Sequence, residues 1–343
     1  MPSKGQNPIK VSVVGCGEWG KNLVRTFSQL RQAQLASVCD LDEARLAQVR
    51  SQYPGVSTTT QFDDVVRDDS VDAVVIASFA SQHFTQAQRA LEAKKHVFVE
   101  KPMALSSQEA EKLVDLADRV GRCLMVGHLL LYHPAVVRMK QLVETQEIGE
   151  LFYLYSQRLN LGRVRVDENA LWSFGPHDVA VALYLFGDEP EVVTTKGEAF
   201  LQKGIVDVAF VTLHFRQRKM AHIHLSWLDP HKTRRTTLVG SRKMVVFDDM
   251  DPSDKVRIYD KGVDIRREAM SYEDYLHVRF GDILIPHIGS AEPLKLECQH
   301  FLDCIRTGAV PRSEGLQGLQ VIRVLTAAQK SLDLGGAPVS VKG

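Results

Sequence analysis

Apolar residues fill the first third of the chain in short, nearly continuous runs at 9–14, 35–39, 73–77, 96–99 and 123–126. Between these runs, apolar positions return at helical spacing near 21–30, 43–51, 82–93 and 108–120. A strand that is apolar on both sides needs cover on both sides, which helices in right-handed crossovers supply. The pattern therefore predicts a parallel sheet wrapped by helices.

After about Tyr132 the rhythm changes. A helix predicted over 134–145 leads into segments where apolar and polar residues alternate: 151–160, 192–200, 206–215, 220–227, 236–239 and 244–247. Tight turns carrying Gly204 and Gly240 separate several of them. Such alternation predicts a mostly antiparallel sheet with one buried and one wetted face. The apolar run 179–186 reads as a buried helix, and 293–306 and 314–332 return to helical spacing. The mixed, charged stretch 251–286 is the least regular and reads as including a mobile or interface loop. The division expected is 1–128 and 129–343, with the C-terminal helices packing back on the first part.

A chain of 343 residues exceeds one typical core, in keeping with two domains. Lys plus Arg and Asp plus Glu both number 42, so the formal charge is zero. That balance removes the global electrostatic argument for nucleic acid or an anionic membrane as partner. No apolar run reaches the length of a membrane span, and residues 1–6 lack the apolar region of a secretory signal, so a cytoplasmic protein is expected. The cysteines (Cys16, Cys39, Cys123, Cys298 and Cys304) form no CxxC pair. Three of them fall in strand-like apolar segments, where a reduced thiol behaves as a small hydrophobe.

Gly15, Gly17 and Gly20 form a GxGxxG between the run 9–14 and the helix predicted from 21. In that setting the first glycine permits a tight turn and the second lets backbone approach a pyrophosphate. The third allows close helix–strand packing, with the helix N-terminus facing the phosphates. Asp40 ends the second run, 20 residues after Gly20, where a carboxylate accepts hydrogen bonds from a ribose. The same carboxylate repels a 2′-phosphate, and Leu41 follows it rather than a base, so NAD is favoured over NADP despite Arg45 nearby. A further motif, Glu100, Lys101 and Pro102, follows the run 96–99 and points at the same end of the sheet.

With these residues in place the chain resembles the Gfo/Idh/MocA oxidoreductase family over essentially its whole length. The resemblance rests on the glycine motif, Asp40, the pair Ala77 and Ser78, the Glu100-Lys101-Pro102 motif, and Glu297, Cys298, Gln299, His300 and Phe301. It implies an α/β protein: a Rossmann-type parallel-sheet domain binding NAD, then an α+β domain for substrate and oligomerisation. It implies Glu18, Trp19, Ala77, Ser78, His83, Glu100 and Lys101 in the cofactor site beside the glycines and Asp40, and a cis bond before Pro102. It also places a catalytic histidine at the start of a helix, matched here by His177 after Pro176. A histidine at that helix end is held neutral by the dipole, as a general base must be. On this reading His177 takes the hydroxyl proton while Lys101 steadies the developing alkoxide; a neutral Lys101 would reverse the roles.

Polyol dehydrogenases of the family often carry an aspartate four residues before this histidine; here that position is Ser173, and Asp178 points elsewhere on a regular helix. The difference moves the expectation toward the branch oxidising C-3 of nucleotide-linked hexoses, UDP-N-acetylglucosamine foremost, to a 3-keto product for an aminotransferase. His128, Tyr132, Arg158, Asn160, Arg163, Trp172, Lys232 and Arg234 are the expected substrate contacts beside Lys101 and His177, the basic ones meeting a diphosphate. The alternatives are the uronate form of that sugar, a sugar 3-ketoreductase, a polyol or inositol dehydrogenase, and an NAD(H)-binding regulator without turnover. His222 and His224 share a strand face but find no third ligand in sequence, so no metal is expected. A homodimer or homotetramer is expected from the resemblance.

Overall fold

The computed structural model describes residues 7–162, 164–166, 168–265 and 276–342. The chain forms two compact units, Met1–Tyr132 with Ala291–Ile322, and His133–Ser290 with Arg323–Gly343.

The first unit is built on six parallel strands: β1 (Ile9–Val14), β2 (Ala33–Cys39), β3 (Ser57–Thr59), β4 (Ala73–Ile76), β5 (His96–Glu100) and β6 (Leu124–Gly127). They lie in the order β3-β2-β1-β4-β5-β6. The crossovers are α1 (Gly20–Gln29), α2 (Glu43–Gln52), α3 (Phe62–Arg67), α4 (Ala80–Glu92) and α5 (Ser107–Val120). β4 is buried at every residue, as the continuous apolar run required. α1 buries Leu23, Val24 and Phe27, positions three and four apart that lie on one helix face. α5 starts where the Ser106 side chain accepts the Glu109 N–H, and stops at Gly121 in the left-handed region. β3 and α3 are additions to the sequence reading; three residues and a turn and a half are too short to show a period.

The order reverses between β1 and β4, so the loops after β1, β2 and β4 meet at a topological switch point, where ligands of such sheets bind. α8 (Pro293–Thr307) belongs to the same unit and sets Phe301 edge-on against Phe98 of β5, with ring centroids 5.7 Å apart.

The second unit opens with α6 (Pro134–Glu144) and carries nine strands. These are β7 (Leu151–Leu159), β8 (Val192–Glu198), β9 (Val208–His214), β10 (Met220–Ser226), β11 (Thr233–Gly240), β12 (Met244–Asp248), β13 (Val256–Ile265), β14 (Leu276–Leu284) and β15 (Val339–Ser340). They run β14-β13-β12-β11-β7-β10-β9-β8-β15, antiparallel except that β7 and β10 are parallel. The stretch read as least regular and as including a mobile or interface loop contributes two strands, β13 and β14, whose mixed charges masked their period. One face of the sheet is covered by α7 (Ala170–Phe186), where Phe174 meets Trp227 edge-on. The other face carries exposed Tyr153, Tyr155, Phe210 and Met220. The last helix, α9 (Gly315–Asp333), gives its residues up to Ile322 to the first unit.

Candidate cofactor and catalytic site

The three glycines differ in what they do. Gly15 has φ +89°, and a β-carbon there would lie 2.6 Å from the Ala77 carbonyl oxygen. Gly20 begins α1, and a β-carbon there would overlap the Gly15 carbonyl. Both are therefore required by close backbone approach. At Gly17 a β-carbon would meet only the Arg45 guanidinium, so the middle of the loop is open ground for a ligand. α1 has no side-chain cap and no acid in its first turn, which leaves its positive end to an anion.

Asp40 is fixed beside that loop. Its Oδ2 accepts the Cys16 N–H at 2.7 Å, its Oδ1 accepts the Asp42 N–H at 2.9 Å, and Arg45 lies at 3.6 Å. Burial opposes the carboxylate, yet the two N–H donors and Arg45 hold it below the ordinary range. Asp42 also accepts from Arg45, at 3.3 Å. The Arg45 guanidinium is thus engaged by two acids, and the local charge opposes a 2′-phosphate. This donor set, with the open loop and uncapped helix, fits NAD. Exposed Leu41 and Phe79 flank the loop from the ends of β2 and β4, and sequence reasoning assigned them no role.

Ala77 anchors its loop by donating its N–H to Val14, and the Ser78 hydroxyl donates to Gln86 at 2.6 Å. His83 is buried behind them. Its Nδ1 lies 2.8 Å from the Pro102 carbonyl oxygen and its Nε2 3.1 Å from that of Ser78. This replaces the expected cofactor contact of His83 with a scaffolding role, because both ring nitrogens face backbone. The Lys101–Pro102 peptide is cis.

Glu100 turns its carboxyl into the unit. Oε1 accepts the Trp19 indole N–H at 2.6 Å and Oε2 faces the Lys101 N–H at 3.3 Å. Burial pushes its pKa up to about 7, against the pull of these donors and of the Lys101 charge. Glu18 is exposed at the loop edge. His128, past the end of β6, is buried with no hydrogen-bond partner on either ring nitrogen among the described residues, and burial with the Lys101 charge drives its pKa down to about 3. Glu297 on α8 is fully buried, and burial and the Glu100 charge raise its carboxyl well above the ordinary range. Sequence reasoning used Glu297 only as a family marker; the available signal was a lone acid in the apolar row Leu294, Cys298, Phe301.

Tyr132 does not fit the expected substrate contact. It is buried in the first unit, with its hydroxyl 2.9 Å from Ser313 Oγ and the Arg312 guanidinium over its ring.

In the second unit α7 begins at Ala170, where Asn169 accepts the Trp172 N–H, seven residues before His177. Pro176 lies inside the helix, not in its first turn. His177 is therefore mid-helix, and the dipole argument for its neutrality fails, since that effect fades within the first turn. Ser173 and His177 stand one turn apart on the same face, as the spacing required. Asp178 points toward β7, where Arg158 Nε donates to it at 2.5 Å. Asp178 is buried and Arg158 only partly exposed, so the Arg158 guanidinium anchors helix to sheet in place of the expected substrate contact. Asn160 follows β7 with its Oδ1 buried and without a hydrogen-bond partner among the described residues. Arg234 is half-exposed and faces Asp249 at 3.5 Å, while Lys232 is exposed. Arg163 lies outside the described residues.

Comparison with known proteins decides the family. The sequence matches the profile "Oxidoreductase family, NAD-binding Rossmann fold" over residues 9–128, and "GFO/IDH/MocA C-terminal domain" over 136–246. The chain belongs to the Gfo/Idh/MocA family. It is an NAD-binding oxidoreductase. It is 28% identical to the uncharacterized oxidoreductase YrbE of Bacillus subtilis over 97% of each chain. Inositol 2-dehydrogenase 2 of Saccharopolyspora erythraea is 30% identical over 60% of this chain and 62% of its own. UDP-N-acetylglucosamine 3-dehydrogenase of Acidithiobacillus ferrooxidans is 29% identical over 60% of this chain and 64% of its own. The solved structure of that enzyme superposes with TM-score 0.82 at 22% identity, covering 96% of this chain and 99% of its own, and so shares the fold. Sugar-nucleotide and inositol enzymes thus stand at equal distance. No helix among the described residues is long and apolar enough to cross a membrane.

Proposed function

We propose that this oxidoreductase oxidises the C-3 hydroxyl of a nucleotide sugar, UDP-N-acetylglucosamine foremost. The observation that carries the reading is Ser173 on the His177 face of α7, where a polyol-type site calls for an acid. The relative acting on UDP-N-acetylglucosamine supports it. Bound NAD+ supplies the hydride acceptor. The residues 1–128 hold the cofactor through the glycine loop and Asp40, and 129–343 recognise substrate. His177 takes the hydroxyl proton, an imidazole being the side chain whose neutral form is at hand near pH 7. Lys101 offers an ammonium to the alkoxide as it develops. Trp172 and Asn160 line the sugar, His128 stands beside Lys101, and Lys232 and Arg234 meet the diphosphate. The 3-keto product is a substrate for an aminotransferase. The open sheet face with Tyr153, Tyr155 and Phe210 pairs with a second copy, giving a homodimer or homotetramer.

The test is NADH absorbance with UDP-N-acetylglucosamine, set against its uronate form, myo-inositol and free glucose. Reduction of NAD+ by the UDP-sugar alone supports the proposal. The inositol relative at 30% identity favours a second reading, polyol oxidation, and turnover of myo-inositol instead would establish it. Lack of turnover with every sugar points to a regulator.

A further inference from the structure

Two buried acids stand on elements that pack together. Phe98 and Glu100 are two residues apart on β5 and so lie on one face of the strand; Glu297 and Phe301 are one turn apart on α8. The edge-on contact of Phe98 with Phe301 fixes the register between strand and helix. That contact sets the two faces against each other, and Glu297 lies within reach of the Glu100 charge, which with burial raises its carboxyl. Gly127, paired with Glu100 across the sheet, leaves room for it: a β-carbon there would lie 2.8 Å from Glu100 Oε2. Glu100 already faces two N–H donors, from Trp19 and Lys101. Glu297 is fully buried, and among the described residues neither of its oxygens meets a donor. A buried carboxylate without donors is not tolerated, whereas a neutral acid needs only an acceptor for its proton.

We propose that Glu100 and Glu297 share one proton across the β5–α8 contact, and that Glu297 is a positioning residue for Lys101 acting through Glu100. The pair then carries one negative charge, seated on Glu100, between the Trp19 indole and the Lys101 backbone. The other titratable groups facing it are Lys101 itself, Tyr132 from the turn after β6, and Cys298 beside Glu297; His128 stands next to Lys101. Tyr132 and Cys298 are both pushed up by burial and stay neutral, so the charge is not compensated from α8. The consequence for catalysis, a Lys101 ammonium held in place by a fixed counter-charge, rests on the role proposed for Lys101 above.

Trp19 reports on the pair directly. In 15N-labelled full-length protein without ligand, its indole resonance, assigned among the three tryptophans with Trp19→Phe, is followed from about pH 5 to pH 9. The resonance should titrate once, near the value of about 7 to which burial pushes Glu100. Glu297→Gln supplies an amide donor in place of the acid and should keep the midpoint within about half a unit. Glu297→Leu deletes the donor and should raise it by about one unit, a tenfold change in proton affinity. An unchanged midpoint in Glu297→Leu, a Glu297→Gln shift as large as that of the leucine variant, or a Trp19 signal that does not titrate overturns the proposal. Should the leucine variant fail to fold, infrared spectra above the transition decide: wild type should show a carboxylic-acid band that Glu297→Gln lacks, and identical spectra overturn it. These readouts need neither sugar nor NAD, so they stand or fall apart from the substrate reading. With a turned-over substrate in hand, Glu297→Leu should also lower kcat about tenfold while Glu297→Gln restores it.

Discussion

In the six-stranded sheet the residues assigned to chemistry stand just past the strand ends: Gly15 after β1, Asp40 after β2, Ser78 after β4, Lys101 after β5 and His128 after β6. In the nine-stranded sheet they stand on strand faces or on the covering helix, as Arg158 and Arg234 do on neighbouring strands and His177 on α7. At a strand end, backbone approach dictates residue type, so Gly15 and Gly20 have no substitutes. On a sheet face, only the partner across the gap decides whether an arginine binds ligand or, like Arg158, closes an ion pair with a buried acid. A strand-end residue can be assigned from its neighbours in sequence; a face residue cannot.

Several measurements would break or sharpen that contrast. Lys101→Ala should cost about 10³ in kcat, near 4 kcal/mol, with NAD Kd changed less than about threefold. Steady-state kinetics beside cofactor titration checks it, and near-normal turnover would remove Lys101 from the chemistry. Arg158→Met should leave Asp178 buried and unpaired, destabilising the protein by about 3 kcal/mol in denaturant melts. Adding Asp178→Leu should recover most of that loss; equal melts for both variants would show that the ion pair does not matter.

Acid should act on the more deeply buried histidines of the first unit more than on the half-buried His222 and His224 of the open sheet face. Burial lowers the pKa of His83, that of His96 to about 4 and that of His128 to about 3. The unfolded chain protonates these groups near pH 6.5 and the folded unit does not. Stability is therefore lost as pH falls below about 6.5, by roughly 1.4 kcal/mol per pH unit for each histidine, until the folded value is reached. Melts of equal stability at pH 7.5 and pH 5 would contradict this. The smallest effect is expected at Asp40: Asp40→Ala should weaken NAD about tenfold and narrow its preference over NADP. Binding titrations with both cofactors measure the change.

Much of the first unit is legible in the sequence because burial on both faces erases alternation and leaves plain apolar runs, as in β1 and β4. β3 is invisible because Ser57, Thr58 and Thr59 carry no apolar signal. The start of α7 was misread because Pro176 is a strong helix-start signal, whereas the Asn169 cap is ordinary in isolation. The parallel pairing of β7 with β10 spans 60 residues and leaves no local mark. Among site residues, the glycines, Asp40 and Lys101 announce themselves by motif. Glu297 does not, since a single acid among apolar helix positions looks like a solvated break in the stripe.

His83 has one more consequence. A neutral imidazole owns a single N–H, yet this ring sits between the carbonyls of Ser78 and Pro102, which belong to different loops. It can donate to only one of them at a time, so the choice of tautomer decides which loop is held firmly and which carries an oxygen–nitrogen contact without a proton. The two loops bordering the Lys101 peptide thus behave like two doors on one latch: a change that loosens one is felt by the other through the ring.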